Sequence, residues 1–171
     1  MTNPDGIRTV KRYTVIPFPE YRYIPFQPGL PHPRNDPRGH SYHHEEEYLP
    51  GFSAGEWPTC KPYLYGVDLF NQGYWWEAHE AWEQLWLASG RNSLTGLFIQ
   101  GLIQVAAGQL KRCMDEKRGF ELLTESGLDK IRTARGRFLG IDIDDFVRQG
   151  QATLEEDQAA FPVIILRFPE A

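Results

Sequence analysis

The sequence predicts a mainly α-helical protein: an antiparallel bundle of about four core helices carrying a proline-rich extended arm at its amino end. Three observations predict it. Eleven of the thirteen prolines fall within residues 1–62. Apolar residues then recur at helical spacing over 63–138. The helical segments in that stretch are joined by only a few residues, which favours antiparallel neighbours.

The arm, 1–62, cannot hold a long helix, because proline lacks an N–H and biases its predecessor to extended geometry. It is nevertheless rich in apolar residues (Tyr13, Val15, Ile16, Phe18, Tyr21, Tyr23, Ile24, Phe26, Leu30). That is more than a solvated linker carries, so the arm is expected to wrap the bundle, with 10–16 as a short strand. Residues 40–47, HSYHHEEE, read as an exposed loop.

Within 63–138 the first helix is expected over 63–71, with Pro62 suited to its first position. Gly73 breaks the pattern, and a second helix covers 74–88. Ser93 caps a third helix running to 114, and a fourth spans 117–138. Residues 139–171 are expected to form a short helix over 144–158 and an extended apolar ending, 163–168, that pairs with the arm.

On a helical wheel, Trp75, Ala78, Trp82, Leu85 and Trp86 of the second helix share one arc that must face the core. His79 lies inside the edge of that arc and Glu83, one turn later, just outside it. Glu80 lies on the flank with Trp76, while Glu77 and Gln84 point away from the core. A carboxylate one turn from an imidazole can fix its tautomer or stabilise its charged form. The pair therefore suits a general base or a metal ligand, and equally a buried histidine that needs a partner. The third helix is apolar nearly all round, the mark of a central helix, with Gly101, Ala106, Ala107 and Gly108 permitting close approach. Its narrow polar row, Gln100, Gln104 and Lys111, either faces water or meets His79 and Glu83 in a polar pocket.

Established motifs exclude several chemistries. His79-Glu80 begins the zinc-peptidase pattern His-Glu-x-x-His, but Glu83 stands where the second histidine belongs. Paired Glu-x-x-His motifs of di-iron bundles, a phosphate loop and a Gly-x-Ser-x-Gly elbow are missing. Cys60 and Cys113 form no disulfide framework or zinc spacing. A net charge of −5 argues against a nucleic-acid binder, despite eight basic against five acidic residues between Lys111 and Arg137. No stretch is apolar enough for a signal peptide or a membrane span, so a soluble cytoplasmic protein is expected, with homo-oligomerisation left open. Four of five histidines lie in the arm, and His32, Asp36 or His40 can approach His79 and Glu83 if the arm folds over the second helix.

The runs LFNQGYWWEAHEAWEQLW (69–86) and FIQGLIQVAAGQLK (98–111) resemble domain-of-unknown-function family 309. The arm's PHPRNDPRGHS stretch is similar to longer members too. The resemblance implies a small helical bundle with no established activity, and Glu77, His79, Glu80, Glu83, Gln100, Gly101 and Gln104 match its characteristic positions.

Two functional readings follow. In the first, a small-ligand or metal site lies between the second and third helices, roofed by the arm, with hydrolysis as its chemistry. His79, Glu80 and Glu83 are its candidate catalytic residues, and Trp76, Glu77, Gln100 and Gln104 contact the ligand. A divalent transition metal would be held by His79 and Glu83 with His32 and His40 from the arm. In the second, the chain is a non-catalytic helical interaction module with a buried His/Glu polar network.

Overall fold

The computed structural model describes residues 7–45, 49–156 and 159–170. Glu46 and Glu47 of the predicted loop and Asp157 and Gln158 of the predicted last helix lie outside them. The protein is mainly helical, with α1 Lys61–Asn71, α2 Trp75–Ser89, α3 Leu94–Cys113, α4 Lys117–Ile131 and α5 Ile143–Glu155. A 3-10 helix, Ala54–Thr59, precedes α1. A two-strand antiparallel hairpin, β1 Arg137–Phe138 and β2 Ile141–Asp142, separates α4 from α5.

Local chemistry explains the boundaries. Pro62 enters the first turn of α1, where its missing N–H costs nothing. Gly73 ends the α1–α2 connection at φ +77°, and a side chain there would also strike Ile7. Ser93 caps α3 by accepting the Gly96 N–H at 2.9 Å. Asp142 caps α5 through the Asp145 N–H at 3.1 Å. The fourth helix stops seven residues before its expected end at 138. Beyond Ile131, Gly136 (φ +63°) and Gly140 (φ +77°) turn the chain into the hairpin.

α3 is the central helix, packed between α2 and α4, and α5 closes the bundle against α4. α3 and α4 run antiparallel, since Gly101 faces Gly127 and Ile131 while Gly108 faces Thr124 and Phe120. The core centres on Trp82, Tyr63, Phe70, Phe98 and Phe146, each almost wholly buried. Their burial relative to exposure contributes roughly 1.5–3 kcal/mol per large side chain.

Two long segments lie over this core without forming a strand in either. The arm hangs on Asp68, which is buried in α1. Its carboxylate accepts the Tyr13 N–H at 2.7 Å, the Thr14 N–H at 2.8 Å and the Thr14 hydroxyl at 2.7 Å. Residues 10–16 are thus extended but paired to a side chain rather than to a strand. The tail 163–168 is also extended. Asn71 brackets Ile164, donating to its C=O at 2.8 Å and accepting its N–H at 2.7 Å. Gln149 does the same to Val163, at 3.1 and 3.0 Å. Tail and arm meet where the Leu166 N–H donates to the Tyr13 hydroxyl at 2.8 Å, beside the Tyr13 and Phe168 rings. Among the described residues no helix is long and apolar enough to cross a membrane.

Candidate active site

α2 carries two buried faces. One is the predicted core arc: Trp75, Ala78, Trp82 and Leu85 are buried, and Trp86 packs at its edge. The other lies under the arm, where Glu77, expected to point away from the core, is buried. Glu77 is 5% exposed. Its Oε1 accepts the Tyr23 N–H at 2.9 Å and meets His40 Nε2 at 3.0 Å. Its Oε2 has no partner of acceptable hydrogen-bond geometry among the described residues. Burial pushes the Glu77 carboxyl above the usual range, offset in part by the Tyr23 N–H, its own N–H and His40.

The arm supplies the facing residues from a pinned loop. His32 Nδ1 accepts the N–H groups of Arg34 and Asn35 at 3.2 and 3.3 Å. Asp36 accepts the Arg38 N–H at 2.9 Å and pairs with its guanidinium, so it serves its own loop rather than α2. Gly39 passes so close to the Pro33 carbonyl that an added Cβ would lie 2.2 Å from it. The Ser41 N–H returns to that carbonyl at 3.0 Å. The Tyr21 hydroxyl accepts the His40 N–H at 3.3 Å, and the Tyr21 and His40 rings sit 4.7 Å apart. Trp76 stands edge-on beneath Tyr23, His32 and His40, at 5.4, 5.8 and 6.3 Å between centroids.

Between arm and helix lies a cleft of about 480 Å³. Ile16 to Pro19, Arg34, His40, Ser41, His44 and Glu45 wall it on the arm side; Pro62 and Tyr65 of α1 and Trp76, Glu77, Glu80 and Gln84 of α2 complete it. It thus sits on the arm-facing flank of α2, away from α3. The expected site between α2 and α3 is not what the side chains assemble. Gln104 Oε1 accepts the Ser126 hydroxyl of α4 at 3.3 Å, so the polar row turns toward α4. Gln100 is half-buried on α3 and, like Gln104, is no part of the cleft wall.

His79, Glu80 and Glu83 lie together at the rim of α2, all half-buried, with one ligand atom from each within 4.8 Å of the others. The near partner of His79 is Glu80 rather than Glu83, at 3.3 Å from Nδ1. Glu80 also takes Arg34 at 2.5 Å. Burial alone would raise the Glu80 carboxyl, but hydrogen bonds from His79 and the Arg34 charge hold it below the usual range. Neither His32 nor His40 joins this group. His32 Nδ1 is taken by backbone donors, and both nitrogens of His40 are engaged, on Glu77 and Ser41.

Arg34 and Ser41 escaped assignment from the sequence, although both stand within or beside the quoted arm motif. The lone acid in YLYGVDLF was the available signal for Asp68.

Fold and site define a class: a small helical bundle with histidine and acidic side chains gathered beneath an extended arm. Residues 63–123 match the family model of a domain of unknown function, DUF309. The match holds α1 to α3 and the start of α4, hence Glu77, His79, Glu80 and Glu83, whereas His40 and Ser41 lie outside it. No curated protein matches the chain.

Proposed function

We propose that the chain binds a small molecule in the cleft between the arm and α2, with His40 and Glu77 as its proton-handling pair and hydrolysis as its chemistry. The observation that carries this reading is a hydrogen-bonded imidazole and carboxylate, 8% and 5% exposed, in the wall of a cleft large enough for a ligand. A carboxylate buried with one oxygen unpartnered costs stability, which is characteristic of sites kept for function.

Replacing Glu77 with Gln tests it. The amide oxygen retains the acceptor for Tyr23 N–H and His40 Nε2–H while removing the buried charge. Because the folded protein holds the Glu77 proton more tightly than the unfolded chain, the wild type loses stability as pH rises from the ordinary carboxylate range through the raised value. Glu77→Gln is expected to lack that component, and at neutral pH to be as stable as wild type or more so. Urea unfolding across pH 4 to 8 measures this, and ligand-observed NMR against a fragment set measures binding. Loss of binding without loss of stability supports the site. A loss of stability of about 1–3 kcal/mol, with fragment binding unaffected, would instead favour the interaction module with a structural His/Glu network.

A metal reading rests on the grouping of His79, Glu80 and Glu83. It predicts stoichiometric zinc, iron or manganese in untagged protein purified without chelator, and its loss in His79→Ala. Elemental analysis showing equal metal in both proteins would end it.

A further inference from the structure

The geometry points to Ser41 as a nucleophile, with His40 its base and Glu77 its positioning residue, acting on small neutral carboxylic esters. This rests on the small-ligand reading above and names the substrate class of that site.

Two contacts carry it. Ser41 Oγ lies 2.9 Å from His40 Nδ1, and His40 Nε2 lies 3.0 Å from Glu77 Oε1. An ionised carboxylate only accepts, so Nε2 must carry the ring proton toward Glu77. Nδ1 is then the unprotonated nitrogen, and Ser41 donates its hydroxyl proton to it. Seryl oxygen, imidazole and carboxylate stand in the order that nucleophilic acyl transfer requires, with the two ring nitrogens used in the sense that adjacent residues permit. The arrangement is held rather than incidental. Tyr21 and Trp76 fix the imidazole, and the 39–41 backbone is pinned on the Pro33 carbonyl. Ser41 and His40 both line the cleft.

The reaction balances with water as the one co-reactant. Ser41 Oγ bonds to the ester carbonyl carbon while its proton passes to His40 Nδ1, and Glu77 stabilises the imidazolium through Nε2–H. Collapse breaks the bond from that carbon to the leaving oxygen, and the alcohol departs with the Nδ1 proton. Water then attacks the acyl-serine by the same route, releasing the carboxylic acid and restoring Ser41. The walls choose the substrate. Phe18, Tyr65 and Trp76 offer apolar surface, and Arg34 is paired with Glu80, so the wall favours an uncharged substrate.

The test treats the full chain with a fluorophosphonate, maps the adduct by peptide mass spectrometry, and assays p-nitrophenyl butyrate hydrolysis. The expected result is one adduct, on Ser41, and hydrolysis that falls by about 100-fold or more in Ser41→Ala and His40→Gln. Glu77→Gln is expected to slow labelling and to lower kcat for p-nitrophenyl butyrate with little change in KM, because the imidazolium formed on proton transfer loses its anionic partner. Labelling elsewhere with Ser41 untouched, or full hydrolysis by Ser41→Ala, would overturn the assignment; mapping on wild type decides this without any variant. The Trp76 indole signal in 15N NMR separates the two levels. If p-nitrophenol and unreactive ketone analogues shift it while Ser41 stays unlabelled, binding stands and the nucleophile falls. If no probe shifts it and nothing labels, both fall.

Discussion

Asp68→Ala is expected to cost about 3 kcal/mol and to release the arm from α1, because two backbone N–H groups and a hydroxyl lose one ionised acceptor. Asp68 is 1% exposed, and its carboxylate takes Tyr13, Thr14 and the edge of Arg12 together. Alanine supplies no acceptor for these three donors. Asp68→Asn should fall between, since its oxygen can serve Tyr13 while its NH2 faces the Thr14 N–H. Chemical denaturation gives the magnitude, and amide exchange at Tyr13 and Thr14 gives the place. Unchanged protection at both amides would mean that the arm is held elsewhere. The consequence reaches the cleft, because Ile16 to Pro19 line it and lie two to five residues past the anchor. Ester hydrolysis and fragment binding should therefore fall with the arm, although Asp68 touches neither.

That coupling also explains how far the sequence could be read. Periodicity within α2 identified Trp75, Ala78, Trp82 and Leu85 as core and put His79 at the margin, where it lies. A wheel knows only what a helix shows to its own bundle. The burial of Glu77 depends on Tyr23 and His40, 54 and 37 residues away. No local pattern specifies that pairing, so a residue facing away from one core reads as solvent-facing. Arg34 with Glu80 is the same case. The arm's extended geometry was legible from its prolines, but the partners of arm and tail were not, because side-chain brackets stand in for ladders: Asp68 for the arm, Asn71 and Gln149 for the tail. The overrun of α4 has a different origin: Ala134 and Phe138 continue an apolar spacing that Gly136 cannot support as helix.

Gly101 and Gly127 set the separation of α3 and α4, and alanine at either is expected to cost about 2–3 kcal/mol despite the helix propensity it adds. A Cβ on Gly101 would lie 2.8 Å from the Gly127 carbonyl oxygen; one on Gly127 would lie 2.7 Å from that of Gly101 and 2.9 Å from the Val105 nitrogen. These neighbours are backbone, which cannot step aside as a side chain can, so the helices must move apart and open the core between them. Gly119→Ala is the control on the same helix. Its added carbon meets the flexible Lys111 stem at 3.3 Å, so stability should hold or rise by up to about 1 kcal/mol. Because one widening accommodates both methyl groups, the double variant Gly101→Ala/Gly127→Ala should cost clearly less than the sum of the singles. Urea denaturation of the wild type and these three variants measures the cycle. Strict additivity would show that each alanine strains its surroundings separately, and that the two glycines do not share one contact. Since α2 packs on the opposite side of α3 from this contact, Ser41 labelling should persist in whichever of these variants remain folded.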